Sequence, residues 1–78
     1  MMKFHAFLDG EATDDIEAES IIDALDIAEA RAWDSCRDPL LRALAQRPEG
    51  VRVEYGVRNP TTDEESRDSI LYREDEAQ

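Results

Sequence analysis

The chain has 78 residues, of which 20 are acidic and nine are lysine or arginine, so its formal charge at pH 7 is -11. A chain this short forms one domain at most and buries only about 60% of the surface that its unfolded form exposes. The charge repels nucleic acid and anionic membranes and attracts basic surfaces. We therefore expect no direct binding to nucleic acid or membrane, and a basic protein surface as the partner.

Cysteine content and hydropathy indicate a cytoplasmic protein. Cys36 is the single cysteine, so no internal disulfide is expected. The first residues lack the basic segment and apolar run of a secretory signal, and no segment approaches the about 18 apolar residues of a membrane-spanning helix. A reducing cytoplasm fits these observations.

Two N-terminal strands are predicted to form a hairpin. In residues 3–8, Phe4, Ala6 and Leu8 fall on one side and His5 and Phe7 on the other, an alternation that is typical of a strand. Asp9 and Gly10 follow, and glycine accepts the positive φ of a tight hairpin turn. Residues 12–18 are then a second strand, which we expect at a sheet edge or poorly formed because it contains two adjacent aspartates.

The clearest predicted element is a helix that begins after Ser20 and extends to about residue 37. The Ser20 hydroxyl can cap free amides of the first turn, and Asp23 places a negative charge near the positive helix end. Apolar and small residues recur at the spacing of one helix face, which we expect to be buried. They are Ile21, Ala24, Leu25, Ala28, Ala32 and Cys36.

A ridge beside this apolar face combines a tryptophan with carboxylates. At 100° per residue, Ile22 and Trp33 project about 100° to 120° from the centre of the apolar face, next to Asp26 and Glu29. A tryptophan flanked by carboxylates is a good interface anchor. The alternative is that a neighbouring loop or the segment at Leu40 covers Trp33 within the monomer.

A short second helix can follow the main one. Asp38 is a typical cap, and Pro39 fits a first helical position because proline needs no amide partner there. The helix can then span residues 40–46. Its inward side chains are predicted to be Leu41, Leu44 and Ala45.

The last third of the chain predicts a strand pair and an acidic tail. Residues 51–57 alternate apolar with polar or small side chains and form the cleanest half-buried strand. Residues 59–68 are predicted to be a polar turn, and residues 69–73 a partner strand. Residues 74–78 have no apolar content that would order them and are predicted to be a disordered acidic tail.

The order of these elements predicts an α+β fold. A small, mostly antiparallel sheet of three or four strands would pack against one main helix, with the short second helix beside it. We expect residues 1–73 to form this single acidic domain. One face of such a sheet can remain in water.

Catalytic and metal-binding chemistry find little support in the sequence. His5, Cys36 and the serines lack the spacing that organises a nucleophile and a base. The alternating acids of residues 9–17 resemble a calcium loop only loosely, because glycine comes second and Ser20 stands where a glutamate should close the loop. We expect no enzyme activity, no metal and no cofactor.

The acids are concentrated in one segment. Residues 9–38 contain eleven acids and two bases, a charge of -9, whereas the other residues contain nine acids and seven bases, a charge of -2. Adaptation to a salt-rich host would spread acids more evenly, so this distribution favours a dedicated acidic face. The predicted partner-binding residues are Asp14, Asp15, Glu17, Glu19, Asp23, Asp26, Glu29, Trp33 and Asp34.

Two functions compete on this basis. The first is an acidic inhibitor or adaptor that masks the nucleic-acid-binding surface of a basic protein by presenting carboxylates in place of phosphates. Anti-CRISPR-like antagonists from phages and other mobile elements can act in this way. The likeness to them is one of size and charge, not of sequence. The second is a structural or assembly module that forms a homodimer through the Trp33 ridge or the edge of residues 51–57, with acidity serving solubility or host adaptation.

Overall fold

Two antiparallel hairpins form the sheet and meet at its centre. The computed structural model describes residues 1–73, and its strands are β1 (Met2–Leu8), β2 (Glu11–Ala18), β3 (Val51–Arg58) and β4 (Glu65–Tyr72). Their spatial order is β2-β1-β3-β4, with every neighbouring pair antiparallel. Helix α1 (Ile21–Ser35) packs on one face of this sheet, and α2 (Pro39–Leu44) is a short second helix. The predicted α+β fold is confirmed.

The first hairpin turns at the predicted residues. Asp9 and Gly10 have φ values of 52° and 83°, and two central residues with positive φ match a tight primed hairpin turn. Strand β2 lies at an edge of the sheet, and its register with β1 shifts between Phe4 and Ala6. One residue of β1 there, His5, faces two of β2, Asp14 and Asp15, because Phe4 opposes Ile16 and Ala6 opposes Thr13. Such a bulge bends the edge strand and hinders pairing with another chain.

Helix α1 approaches the sheet closely because its buried stripe is made of small residues. Ala24, Ala28 and Ala32 are at most 2% exposed and repeat every four residues along the contact face. The Ser20 side chain accepts a hydrogen bond from the Asp23 amide at 3.2 Å, as the cap predicted from the sequence requires. From the sheet, the largest fully buried side chains beneath the helix are Phe4, Val53 and Val57.

One prediction about the second hairpin is wrong, and another holds only in part. Strand β4 begins at Glu65, not at residue 69, because the loop after β3 is shorter than its polar sequence suggests. Asn59 closes this loop. Its side-chain oxygen accepts hydrogen bonds from the backbone amides of Thr61 and Thr62 at 2.9 and 3.3 Å, and its backbone amide donates to the Glu64 carbonyl. Strand β3 lies between β1 and β4, but it pairs with β1 only through residues 55–58, so within residues 1–73 the edge predicted for a homodimer is covered along residues 54–57 and open along residues 51–53.

The short helix α2 is present, as predicted, and is only partly buried. Its cap is the expected one, since the Asp38 side chain accepts the Leu40 amide at 2.8 Å. Of its three predicted inward residues only Ala45 is fully buried, whereas Leu41 and Leu44 are half-buried. Within residues 1–73, no helix is long and apolar enough to cross a membrane. The predicted tail at residues 74–78 lies outside the described residues.

Candidate partner-binding surface

The sheet has one face turned away from α1, and its charges are balanced. Since Phe4, Ala6, Val53 and Val57 are buried, their neighbours on β1 and β3 project to the opposite side, which we call the open face. It carries four carboxylates and four lysine or arginine side chains. Its charged residues are Lys3, Asp15, Glu17, Arg52, Glu54, Arg58, Glu65 and Arg67.

Most of the open-face carboxylates have a basic neighbour. Asp15 lies 3.1 Å from His5 Nδ1, and Glu65 accepts a hydrogen bond from Arg67 at 2.5 Å. Glu17 stands directly opposite Lys3 in the register of β1 and β2. Opposite charges at such positions attract each other locally. The open face therefore contributes little to the net charge.

Helix α1 carries a different distribution. Its solvent side presents four exposed carboxylates, which we call the acidic helix face and which are Asp23, Asp26, Glu29 and Asp34. Asp34 lies 3.4 Å from Arg37 in an exposed ion pair, and such pairs contribute little to the free energy of unfolding. Within residues 1–73, the other three form no ion pair with a basic side chain.

The single base within α1 is turned away from these acids. Arg31 Nη1 donates hydrogen bonds to the Thr13 hydroxyl at 3.2 Å and to the Asp14 backbone carbonyl at 2.5 Å. Both acceptors belong to β2. This contact attaches the helix to the edge strand, so Arg31 does not neutralise Asp23, Asp26 or Glu29.

One carboxylate of the acidic helix face is fixed by the core. The Tyr55 hydroxyl donates to Glu29 Oε1 at 3.2 Å. Burial raises the pKa of Tyr55 to about 12, with further contributions from the Glu29 hydrogen bond and the charges of Glu29, Asp68 and Asp26. Tyr55 therefore remains a donor at neutral pH. The Glu29 carboxylate is held in place, which lowers the entropy that it would lose on binding.

Asp68 is a member of this acidic region that the sequence interpretation missed. It stands opposite Tyr55 in the register of β3 and β4, and its charge acts on the Tyr55 hydroxyl together with those of Glu29 and Asp26. Asp68 and Ile70 are two residues apart and fall on the same side of β4, and this spacing was the available signal. It went unused because residues 59–68 were interpreted as a turn.

Trp33 lies at the C-terminal end of the same ridge. Its side chain is 46% exposed, so no loop of the described chain covers it completely. Ile22 at the other end of the ridge is 69% exposed. Both side chains lie one or more helical turns from Asp26 and Glu29, and the ridge thus presents apolar groups with carboxylates between them.

The nine residues predicted for partner binding divide between two sides of the sheet. The structure brings together those on α1, namely Asp23, Asp26, Glu29, Trp33 and Asp34. Asp15 and Glu17 lie on the open face, while Asp14 at the bulge and Glu19 before α1 are exposed at the edge between them.

The chemically reactive side chains are placed apart. His5 is on the open face beside Asp15, whereas Cys36 is buried at the end of α1, where burial raises the pKa of its thiol. Among residues 1–73, no three histidine, cysteine, aspartate or glutamate side chains are grouped as metal ligands. Comparison with family models, curated proteins and solved structures finds no match to this chain.

Proposed function

We propose that this chain is a non-enzymatic acidic binding protein that masks the nucleic-acid-binding surface of a basic partner. The observation that carries the proposal is the segregation of charge, since the acidic helix face is largely unpaired while the open face is balanced. A surface of one sign speeds association with a surface of the opposite sign.

The acidic helix face has dimensions suited to replacing a nucleic-acid strand. At about 1.5 Å per residue, Asp23 and Asp34 are about 16 Å apart along the helix axis. One strand of duplex DNA carries about five phosphates over that length, at one per about 3.4 Å. Four helix carboxylates, joined laterally by Asp68, supply a comparable number of negative charges. Trp33 adds the apolar contact that a charge-only surface lacks.

A competition experiment tests this function. The immobilised chain would capture proteins from a lysate at low salt, and each captured protein would then be bound to its own nucleic acid in a mobility-shift assay. We expect added chain to displace the nucleic acid, and the displacement to weaken as salt rises. A captured protein that binds the chain and its nucleic acid together would contradict the proposal.

Charge variants identify the responsible surface. One variant neutralises α1 (D23N, D26N, E29Q, D34N), and a matched one neutralises the β2 segment (D14N, D15N, E17Q, E19Q). We expect the α1 variant to lose displacement most, the β2 variant to associate more slowly, and deletion of residues 74–78 to change little. Equal effects of all three changes would show that only net charge matters. In a phage or plasmid setting, an anti-CRISPR-like antagonist is one concrete form of this function.

A homodimeric assembly module is the second candidate, and the exposure of Trp33 and Leu40 favours it. Leu40 on α2 is 69% exposed and Trp33 is 46% exposed. Sedimentation of the free protein at high salt distinguishes the two functions, because screening removes the self-repulsion of acidic copies. A dimer that Trp33→Ala dissociates would favour assembly, whereas a monomer at every salt concentration would favour masking.

A further inference from the structure

The two edge strands of the sheet differ in regularity. Strand β2 is bulged opposite His5 of β1, whereas β4 pairs with β3 along its whole length without a shift in register. A long, regular edge strand is a template for pairing with another chain, and natural proteins block such edges. Strand β4 therefore needs a device other than a bulge if it is to stay unpaired.

Alternate residues of β4 direct their backbone groups away from β3. The Asp9 amide donates to the Glu54 carbonyl at 2.8 Å and the Glu54 amide donates to Asp9 Oδ1 at 3.2 Å, so the backbone groups of Glu54 point to the β1 side. Those of the next residue, Tyr55, then point to β4, where Asp68 is the register partner. The residues left with backbone groups on the outer edge of β4 are Glu65, Arg67, Ser69 and Leu71.

The Asp68 carboxylate occupies the middle of this outer edge. Its Oδ1 accepts a hydrogen bond from the Ser69 backbone amide at 2.8 Å, and the Asp68 side chain is exposed. The Ser69 amide is one that an added strand would need. Within residues 1–73, no other segment forms a backbone hydrogen bond with the outer edge of β4. Asp68 thus takes a position that another strand would otherwise fill.

The register of β4 defines how a second copy of the chain would pair with it. Two copies related by a two-fold axis use all four outer residues when Glu65 lies opposite Leu71 and Arg67 lies opposite Ser69. Asp68 then lies opposite Asp68 of the other copy, and like charges at directly opposed positions destabilise a strand pair. No other like charges are directly opposed between residues 65 and 71 in this register. Apart from Asp68, the edge is therefore compatible with a copy of itself.

The neighbouring registers are opposed as well. With the axis at Ser69, the Asp68 side chains no longer face each other, but the two Ser69 amides become the central donors, and Asp68 already holds them. With the axis at Arg67, two guanidinium groups are opposed. Axes further from the middle of β4 pair fewer residues. Asp68 is therefore the side chain that opposes both of the long registers without an Arg67 pair.

We propose that Asp68 prevents the chain from pairing through β4 with a second copy of itself. When Asp68 is replaced, the two sheets join along β4 into one continuous sheet. Assembly then ends at the dimer, because the edges that remain are the bulged β2 strands. Neither the acidic helix face nor Trp33 lies on β4, so this role is independent of the masking function and of a dimer through Trp33.

Sedimentation of two Asp68 variants and a matched control tests the proposal. Threonine favours strands and pairs well across them, so we expect Asp68→Thr to dimerise with a Kd at least about tenfold below that of the wild type. Asp68→Asn loses the charge but keeps an oxygen for the Ser69 amide, and should show a smaller gain. Asp26→Asn removes the same charge from α1 and should sediment as the wild type does. If Asp68→Thr does not fold, Asp68→Asn carries the test.

Amide hydrogen exchange locates the interface. Exchange at Arg67, Ser69 and Leu71 should slow as the concentration of Asp68→Thr rises, and should be independent of concentration in the wild type. Adding Trp33→Ala to Asp68→Thr should leave this protection unchanged. Folded Asp68 variants that remain monomeric, an equal gain in Asp26→Asn, protection confined to α1, loss of the dimer with Trp33→Ala, or concentration-dependent protection of β4 in the wild type would each overturn the proposal.

Discussion

The two exposed faces of this molecule differ in how far their charged side chains are paired with opposite charges. On the open face, acids and bases alternate across neighbouring strands and are mostly paired, so the face is electrically balanced. On α1 the carboxylates stand together, and Arg31 is drawn away to β2. The net charge of -11 is therefore not spread evenly over the surface. Its distribution depends on where the fold places the few lysine and arginine side chains.

The largest expected effect compares the two sides of β1. Phe4 is 1% exposed beneath α1, whereas Phe7 is half-buried on the open face. We expect Phe4→Ala to cost about 3 to 5 kcal/mol of unfolding free energy and Phe7→Ala about 1 kcal/mol. Urea denaturation followed by circular dichroism measures both.

A milder pair of substitutions keeps this comparison measurable if the Phe4→Ala variant does not fold. Phe4→Leu and Phe7→Leu preserve apolar bulk, and the buried position should still lose more stability than the open one. Equal losses at the two positions would mean that the open face is covered in solution, for example by another copy of the chain.

The next effect concerns Trp33, the apolar end of the acidic ridge. Because its side chain is 46% exposed, we expect Trp33→Ala to change the unfolding free energy by about 0.5 kcal/mol or less. Association with a partner, or with itself, should weaken by about 2 kcal/mol or more, as for a hot-spot residue. A thermal melt and a sedimentation or binding assay on this variant decide the point. An unfolded variant would assign Trp33 to the core.

Local patterns in the sequence were sufficient for the elements that short-range chemistry controls. The Asp9-Gly10 turn, the Ser20 cap and the alanine stripe of α1 all follow from residues within a few positions of one another. The start of β4 was missed because an edge strand with few apolar residues resembles a loop in sequence. Its first half gains order from hydrogen bonds to β3, which no local pattern reports.

The functional surfaces show the same division. The spacing of Asp26, Glu29 and Trp33 could be predicted from the sequence, because all three residues lie on one helix. The position of Asp68 beside them could not be predicted, because it depends on which strands are neighbours and in what register. The bases of the open face likewise become partners of its acids only once the sheet order is known.

The Tyr55 hydroxyl links the acidic helix face to the core, and its removal should have an intermediate effect. We expect Tyr55→Phe to cost about 0.5 to 1.5 kcal/mol, because the hydrogen bond to Glu29 is lost from a buried donor. The folded-state pKa of Tyr55, about 12, exceeds the ordinary value of 10.0. Its contribution to stability is thus complete below about pH 10 and is lost as pH rises towards about 12.

Urea denaturation of both proteins at several pH values tests this linkage. The stability difference between wild type and Tyr55→Phe should be constant up to about pH 9 and shrink or reverse by about pH 12. Every other ionisable group is present in both proteins, so its effect cancels in the difference. A difference independent of pH would mean that the Tyr55 phenol is not held against the acids of α1.

The smallest effect is the response of thermal stability to salt. Clustered carboxylates repel one another more in the folded state than in the expanded chain. Raising sodium chloride from about 0.1 to 1 M shortens the Debye length from about 10 to 3 Å. A gain of about 1 kcal/mol would raise the melting temperature by about 4 to 8 °C in a domain of this size. Scanning calorimetry measures this rise.

Two triple variants with the same change in net charge make the salt response a test of location. D23N, D26N and D34N remove carboxylates from α1, whereas D15N, E17Q and E65Q remove carboxylates that face bases on the open face. We expect the α1 variant to reduce the salt-induced rise most, because it removes repulsion. The open-face variant also removes attractions, which salt weakens in the wild type. If both variants reduce the rise equally, long-range net charge and not its placement on α1 governs stability.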